Sequence, residues 1–135
     1  MAFTGNLVCD SFKEALLTGD ISLSNDAIYI ALYTNEASLT KDTTEYTSEN
    51  EVSASGYTAG GQQLTTSVTT ANNVSYVDFG NVTWNSAITA RGALIYQGNG
   101  TAICVLDFGI DRTSTSQFTV EFPEYSSDSA IIRLS

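Results

Sequence analysis

The stretch that most restricts the fold is ITARGALIYQGNGTAICVLDFG, residues 88–109, where two apolar runs of similar length flank the polar tetrapeptide QGNG. An Asn-Gly pair between such runs is the strongest short-range hairpin signal, because a tight primed turn needs positive φ at both central positions and Asn and Gly tolerate it. The pattern predicts arms near 88–97 and 101–108, turning at Gly98, Asn99 and Gly100.

Other segments supply strands to go with this hairpin. In AIYIALYTN, residues 27–35, Ile28, Ile30 and Leu32 share one face while Tyr29, Ala31 and Tyr33 share the other. Both faces are substantially apolar, so the second needs a cover: the helix, a long loop or another protein. Tyrosines on that face suit an interface, since the ring can be buried while the hydroxyl stays wet. QQLTTSV (62–68) reads as a strand with one wet face, and VSYVDFGNVTW (74–84) as a strand interrupted near Gly80 and Asn81. In QFTVEFP (117–123) Phe118, Val120 and Phe122 alternate inward against Thr119 and Glu121, and Pro123 ends the run. SAIIRLS closes the chain with Ala130, Ile132 and Leu134 on one face. VDFG at 77–80 and LDFG at 106–109 echo one another and read as two equivalent strand ends.

The only helical pattern is near the start, over about 8–18, where Val8, Phe12, Ala15 and Leu16 fall on one face. Ser11 with Glu14 offers a reciprocal cap and Gly19 a stop. About seven strands at short spacing plus one short helix predict an all-β chain. The expected architecture is an antiparallel β-sandwich, jelly-roll or immunoglobulin-like, as one domain over 1–135. A chain of 135 residues holds one such core and not two.

Between Asn35 and Gly61 the composition changes. Glu36, Asp42, Glu45, Glu49 and Glu51 stand against the single Lys41 over residues 36–51, and SASGYTAGG follows. The segment, about 36–61, reads as a long acidic loop, either a contact-making arm or simply mobile.

Chemistry is constrained mainly by what the composition lacks. With no histidine, the Ser-His-Asp and Cys-His arrangements are excluded. Asp78 and Asp107 could form a carboxylate pair, but a turn-forming role beside Gly80 and Gly109 is the simpler reading. GYTAGG lacks the Lys and following helix of a phosphate-binding loop. Carboxylates at 42–51 would hold calcium only if the loop folded back, so no catalytic residue, metal site or cofactor is expected. Cys9 and Cys104 have no ligand spacing and apolar neighbours, which predicts reduced, buried thiols. Fifteen acidic residues against five basic ones, net charge −10, disfavour nucleic acid as a partner. No stretch approaches the ~20 apolar residues of a bilayer span, and the first residues lack a signal-peptide pattern, so a soluble product without membrane partners is expected. Trp84 reads as a core residue or an interface anchor. Arg91, between the small Ala90 and Gly92, reads as an ion-pair partner of Asp78 or Asp107, or of an acid on another subunit.

Taken in order, IYIALYT, the acidic stretch ending NEVSASGYTAGGQQLT, VDFGNVTW, ITARGALIYQ, AICVLDFG, FTVEFP and AIIRLS resemble a family of small proteins. These are encoded among the virion genes of tailed bacteriophages, including phages of cyanobacteria and other marine bacteria. The resemblance runs from about Ala27 to Leu134, and its most specific pieces are GYTAGG (56–61) and ITARGALIY (88–96). Members resemble capsid cement or head-decoration proteins. The resemblance therefore implies a structural, non-enzymatic role on the capsid surface of a virion, after synthesis in the host cytoplasm. It implies the major capsid protein as partner and a homo-oligomer, first of all a trimer. Candidate interface residues are then Tyr29, Tyr33, Tyr46, Tyr57, Trp84 and Arg91. The alternative is a tail- or fibre-associated adsorption module binding host-surface carbohydrate, with Tyr46, Tyr57 or Tyr125 around a shallow groove.

Overall fold

The computed structural model of the chain describes residues 7–23, 26–122 and 132–134. In chain order these form strand β1 (Leu7–Val8), helix α1 (Asp10–Thr18), β2 (Ile28–Tyr33), β3 (Gln62–Leu64), β4 (Thr66–Ala71) and β5 (Val74–Phe79). There follow β6 (Val82–Trp84), β7 (Thr89–Gln97), β8 (Ala102–Thr113), β9 (Phe118–Val120) and β10 (Arg133–Leu134). The fold is mostly β with one short helix. Its strands lie in three hydrogen-bonded sheets, ordered β1-β8-β7-β2-β3, β10-β5-β4 and β6-β9, which corrects the expected count of about seven strands. Three local features make the difference: β1 precedes the helix and pairs with β8; the expected 62–68 strand breaks at Thr65, so that β3 pairs with β2 and β4 with β5; and VDFGNVTW breaks at Gly80–Asn81, so that β5 stays with β4 while β6 pairs with β9.

β7 and β8 form the expected central hairpin, with a different turn. The Gly100 N–H donates to the Gln97 carbonyl (2.7 Å), and the Gln97 N–H to the Thr101 carbonyl (2.8 Å). Gly100 has φ +106° and Asn99 is not among the positive-φ residues. This is a three-residue loop closed by a left-handed glycine rather than a primed Asn-Gly turn. The primed geometry occurs instead at Asn72 (φ 54°) and Asn73 (φ 65°), which join Ala71 to its cross-strand partner Val74 in the β4–β5 ribbon. Without a glycine, that turn carries a weaker sequence signal, although Asn visits the left-handed region more readily than other side chains.

The two DFG segments are not equivalent. VDFG ends β5, but LDFG opens a bulge: Asp107 faces Gly92 and Arg112 faces Ala90, so residues 108–111 stand opposite Arg91 alone. Gly109, at φ +84°, supplies the left-handed step inside it. The helix start also differs from expectation. Cys9 is the N-cap without a side-chain cap, Val8 belongs to β1, and the Ser11 hydroxyl donates instead to the Ala102 carbonyl of β8 (2.9 Å). Gly19 ends the helix in the left-handed conformation, as read from the sequence.

Packing follows the alternation of β2. Ile28, Ile30 and Leu32 join Ile95 and Ile103 of the same sheet, Val77 and Phe79 of β5, and Trp84, Phe118 and Val120 in one buried cluster. Ala31 and Tyr33 face the other way and are buried with Leu94, Val105, Ala37 and Leu39. The cover for the second face is therefore the chain's own 34–61 segment. The expected 117–123 strand is only three residues long, β9, in which Phe118 and Val120 are buried and Thr119 exposed; just past its end Glu121 is exposed and Phe122 lies against Phe79 with ring centroids 5.4 Å apart. Of the closing face, Ile132 is buried, whereas Pro123, Tyr125 and Ala130 lie outside the described residues.

Candidate interaction surface

The acidic 36–61 segment is neither a projecting arm nor a free loop. Its backbone adds to the rim of the sheet: the Val52 N–H donates to the Leu32 carbonyl (2.9 Å), Thr34 to Asn50 (2.9 Å) and Tyr46 to Gly100 (2.7 Å). Beneath it Glu51 acts as a shared acceptor. Its carboxylate receives the Tyr46 hydroxyl (2.5 Å), the Tyr57 hydroxyl (2.5 Å) and the Gly60 N–H (2.8 Å). The Tyr57 oxygen in turn accepts the Leu32 N–H (2.9 Å), so one side chain links the strap to β2. Tyr33 donates to the Thr47 carbonyl (2.6 Å) and Tyr96 to the Gly60 carbonyl (2.5 Å). The rings of Tyr29, Tyr96 and Tyr46 stack in sequence, with centroids 5.8 and 4.7 Å apart. Burial, reinforced by the Glu51 charge, raises the phenols of Tyr33, Tyr46 and Tyr57 and pushes Tyr96 up to about 12. These hydroxyls are structural donors held neutral.

The remaining chemical groups are likewise engaged. Arg91 forms an ion pair with Asp107 rather than Asp78, a choice set by the register that places Asp107 opposite Gly92. Cys9 and Cys104 are free, buried thiols; burial pushes Cys9 up to about 11 and raises Cys104 further. Trp84 is buried between Tyr57 and Phe118, and its indole N–H has no hydrogen-bond partner among the described residues. No group of three or more Cys, Asp and Glu side chains is placed to hold a metal ion among the described residues.

Of the six candidate interface residues, the structure gathers Tyr29, Tyr33, Tyr46 and Tyr57 around the strap and β2. Tyr33 has no exposed surface, and Tyr57 and Trp84 are buried; Tyr29 and Tyr46 keep partial exposure. Arg91 sits apart at the β8 bulge. There it braces a feature that sequence reading missed. The Asp107 carboxylate accepts from Arg91 and from the Gly109 N–H (2.8 Å), while the Asp111 carboxylate accepts from the Asn35 amide (3.0 Å). Between these two ties Ile110 projects with 60% of its surface exposed. The available signal was the spacing itself, a single Arg between small residues opposite an Asp-Phe-Gly.

Among the clefts on the described surface, one lies beside the helix and one beside the bulge. An open apolar one of about 310 Å³ lies between α1 and the β4–β5 ribbon, walled by Phe12, Leu16, Ile21, Leu23, Val68 and Val77. A more polar one of about 500 Å³ lies beside the bulge, where Phe108 and Phe118 sit with Arg112, Gln117, Thr119 and Glu121. No family model, no curated protein and no solved structure matches this chain.

Proposed function

We propose that this chain is a structural, non-enzymatic component of a tailed-phage virion: a capsid cement or decoration protein that binds the major capsid protein as a homo-oligomer and bridges neighbouring shell subunits. The choice of partner rests on the sequence resemblance over 27–134, and a trimer is the assembly it implies. The contact is supplied by one observation, the braced bulge. A β-bulge re-aims side chains at the cost of a local break in the ladder, and here two carboxylates tie its flanks while Ile110 is left outward. Apolar anchors on rigid supports contribute most of the energy at protein interfaces. The sandwich reading of the fold belongs to the same proposal. It takes the five-stranded sheet as one layer and the two smaller sheets as the other, supported by the buried cluster that joins Ile30 to Val77 and Phe118.

The test is Ile110→Asp in assembled particles. The variant is expected to fold, to be lost from heads, and to leave heads that rupture at lower temperature. The adsorption alternative is favoured by the polar cleft, where a partly exposed Phe108 lies beside Arg112, Gln117 and Glu121, groups suited to a sugar ring and its hydroxyls. Normal head stability with lost attachment to host cells would promote that alternative and remove the cement reading.

A further inference from the structure

From Val52 to Val77 the sequence has no charged residue, in a chain whose net charge is −10. Part of that run is β4, the outer strand of the β10-β5-β4 sheet, which hydrogen-bonds to β5 on one side only among the described residues. Exposed edge strands are ordinarily blunted by lysine, proline, an inward charge or a short length, since an open row of N–H and C=O groups templates further pairing. β4 is six residues long, carries none of those devices, and its four central residues Ser67–Thr70 are exposed, Val68 by 49%. The charge on the ribbon itself is confined to Asp78, opposite Ser67 at one end.

We infer that two copies of this chain join edge to edge through β4, antiparallel about a two-fold axis, giving one continuous sheet of six strands. The occupant of the edge is a second copy because of charge. Two bodies of net charge −10 repel wherever their acidic surfaces meet, and the β4–β5 ribbon brings a single charged residue, Asp78, to the contact. An antiparallel pair of identical strands is also self-complementary, as a two-fold contact requires. Because the two-fold axis keeps each side chain on its own face, it must run through a pair of identical residues; centred on Thr69, it sets Val68 against Thr70 of the second copy and Ser67 against Ala71. Hydroxyl and β-branched side chains of this kind pair favourably across strands. The wall of the apolar cleft at Val68 then continues into the interface. The contact is independent of the virion reading, and it replaces the expected trimer by a pair.

Sedimentation velocity of the intact chain is expected to give twice the mass of one copy. Val68→Asp with Thr70→Asp sets like charges opposite one another twice across the axis, and should weaken the dimer by roughly ten-fold or more. Both positions are exposed, so the melting temperature of the separated copy is expected to be unchanged. A monomeric or trimeric native chain overturns the inference, as does a dimer indifferent to the double substitution. Should that variant not fold, cross-linking decides instead. A Val68→Cys protein mixed with a Thr70→Cys protein should form a disulfide under mild oxidation, whereas neither alone should. Directly opposed strand residues lie within disulfide reach and the diagonal ones do not. Cys9 and Cys104 are buried and do not compete. Equal cross-linking in the single-variant samples, or none in the mixture, overturns the register and with it the interface.

Discussion

Removing the Glu51 carboxylate should release the strap and unfold much more than a surface loop. The side chain accepts three hydrogen bonds, from Tyr46, Tyr57 and Gly60, at 2.5, 2.5 and 2.8 Å. In Glu51→Ala the partly exposed Tyr46 hydroxyl regains a water, so little is lost there. The Tyr57 hydroxyl and the Gly60 N–H lose an ionised acceptor under cover. Hydrogen bonds to charged groups contribute about 1.5–3 kcal/mol each, so a loss of about 3–5 kcal/mol is expected from these two. Tyr57→Phe removes one of the same bonds and also strands the buried Leu32 N–H, which the Tyr57 oxygen accepts at 2.9 Å, for about 2–3 kcal/mol. Because the two substitutions break a shared bond, the double variant should lose less than their sum, by about 1–2 kcal/mol. Urea unfolding followed by circular dichroism measures all three, with hydrogen exchange over 36–61 reporting the strap directly. A Glu51→Ala loss under about 1 kcal/mol, or strict additivity, would show that the carboxylate does not hold the segment down.

Two further outcomes follow from groups buried in one protonation state or one backbone conformation. The Cys9 thiol and the Tyr96 phenol are raised from 9.0 and 10.0 to about 11 and about 12, so the folded chain holds these protons more tightly than the unfolded chain. Their contribution to stability is complete below pH 9.0 and declines as pH rises through about 12. Stability that stays level across that window in denaturant titrations would contradict it. Gly61, at φ +77°, lies so close to the Ile30 carbonyl that a Cβ would overlap it. Gly61→Ala should therefore cost about 3 kcal/mol or more, and a melting temperature like that of the parent chain would refute the close approach.

Local signals in the residues account for several elements. The alternation of Phe118, Thr119 and Val120 needs no partner to be read, because a strand places successive side chains on opposite faces. The same holds for the apolar face of α1 and for Gly19, whose missing Cβ makes the left-handed stop inexpensive. The chain around Gly98–Gly100 reverses by short-range geometry, even though the turn formed is not the primed one. The need of β2 for a second cover was also visible in Tyr29, Ala31 and Tyr33.

Which segment supplies that cover was decided only by the tertiary structure. The 36–61 segment looks like a solvated loop because its acids and threonines outnumber its apolar residues. Yet Ala37 and Leu39 are buried against Ala31 and Tyr33 on the second face, Val52 and Tyr57 join the cluster on the first, and one of its acids, Glu51, finds its donors there. Hydrogen bonds between residues distant in the fold leave no period in a sequence. The choice of Asp107 over Asp78 for Arg91 was settled by the β7–β8 register, which also forces 108–111 out as a bulge. The open edge of β4 belongs to the same class. Composition determined that residues 52–77 carry no charge, but only strand order shows that part of this run is a rim without a second partner among the described residues, because pairing is a property of neighbours in space.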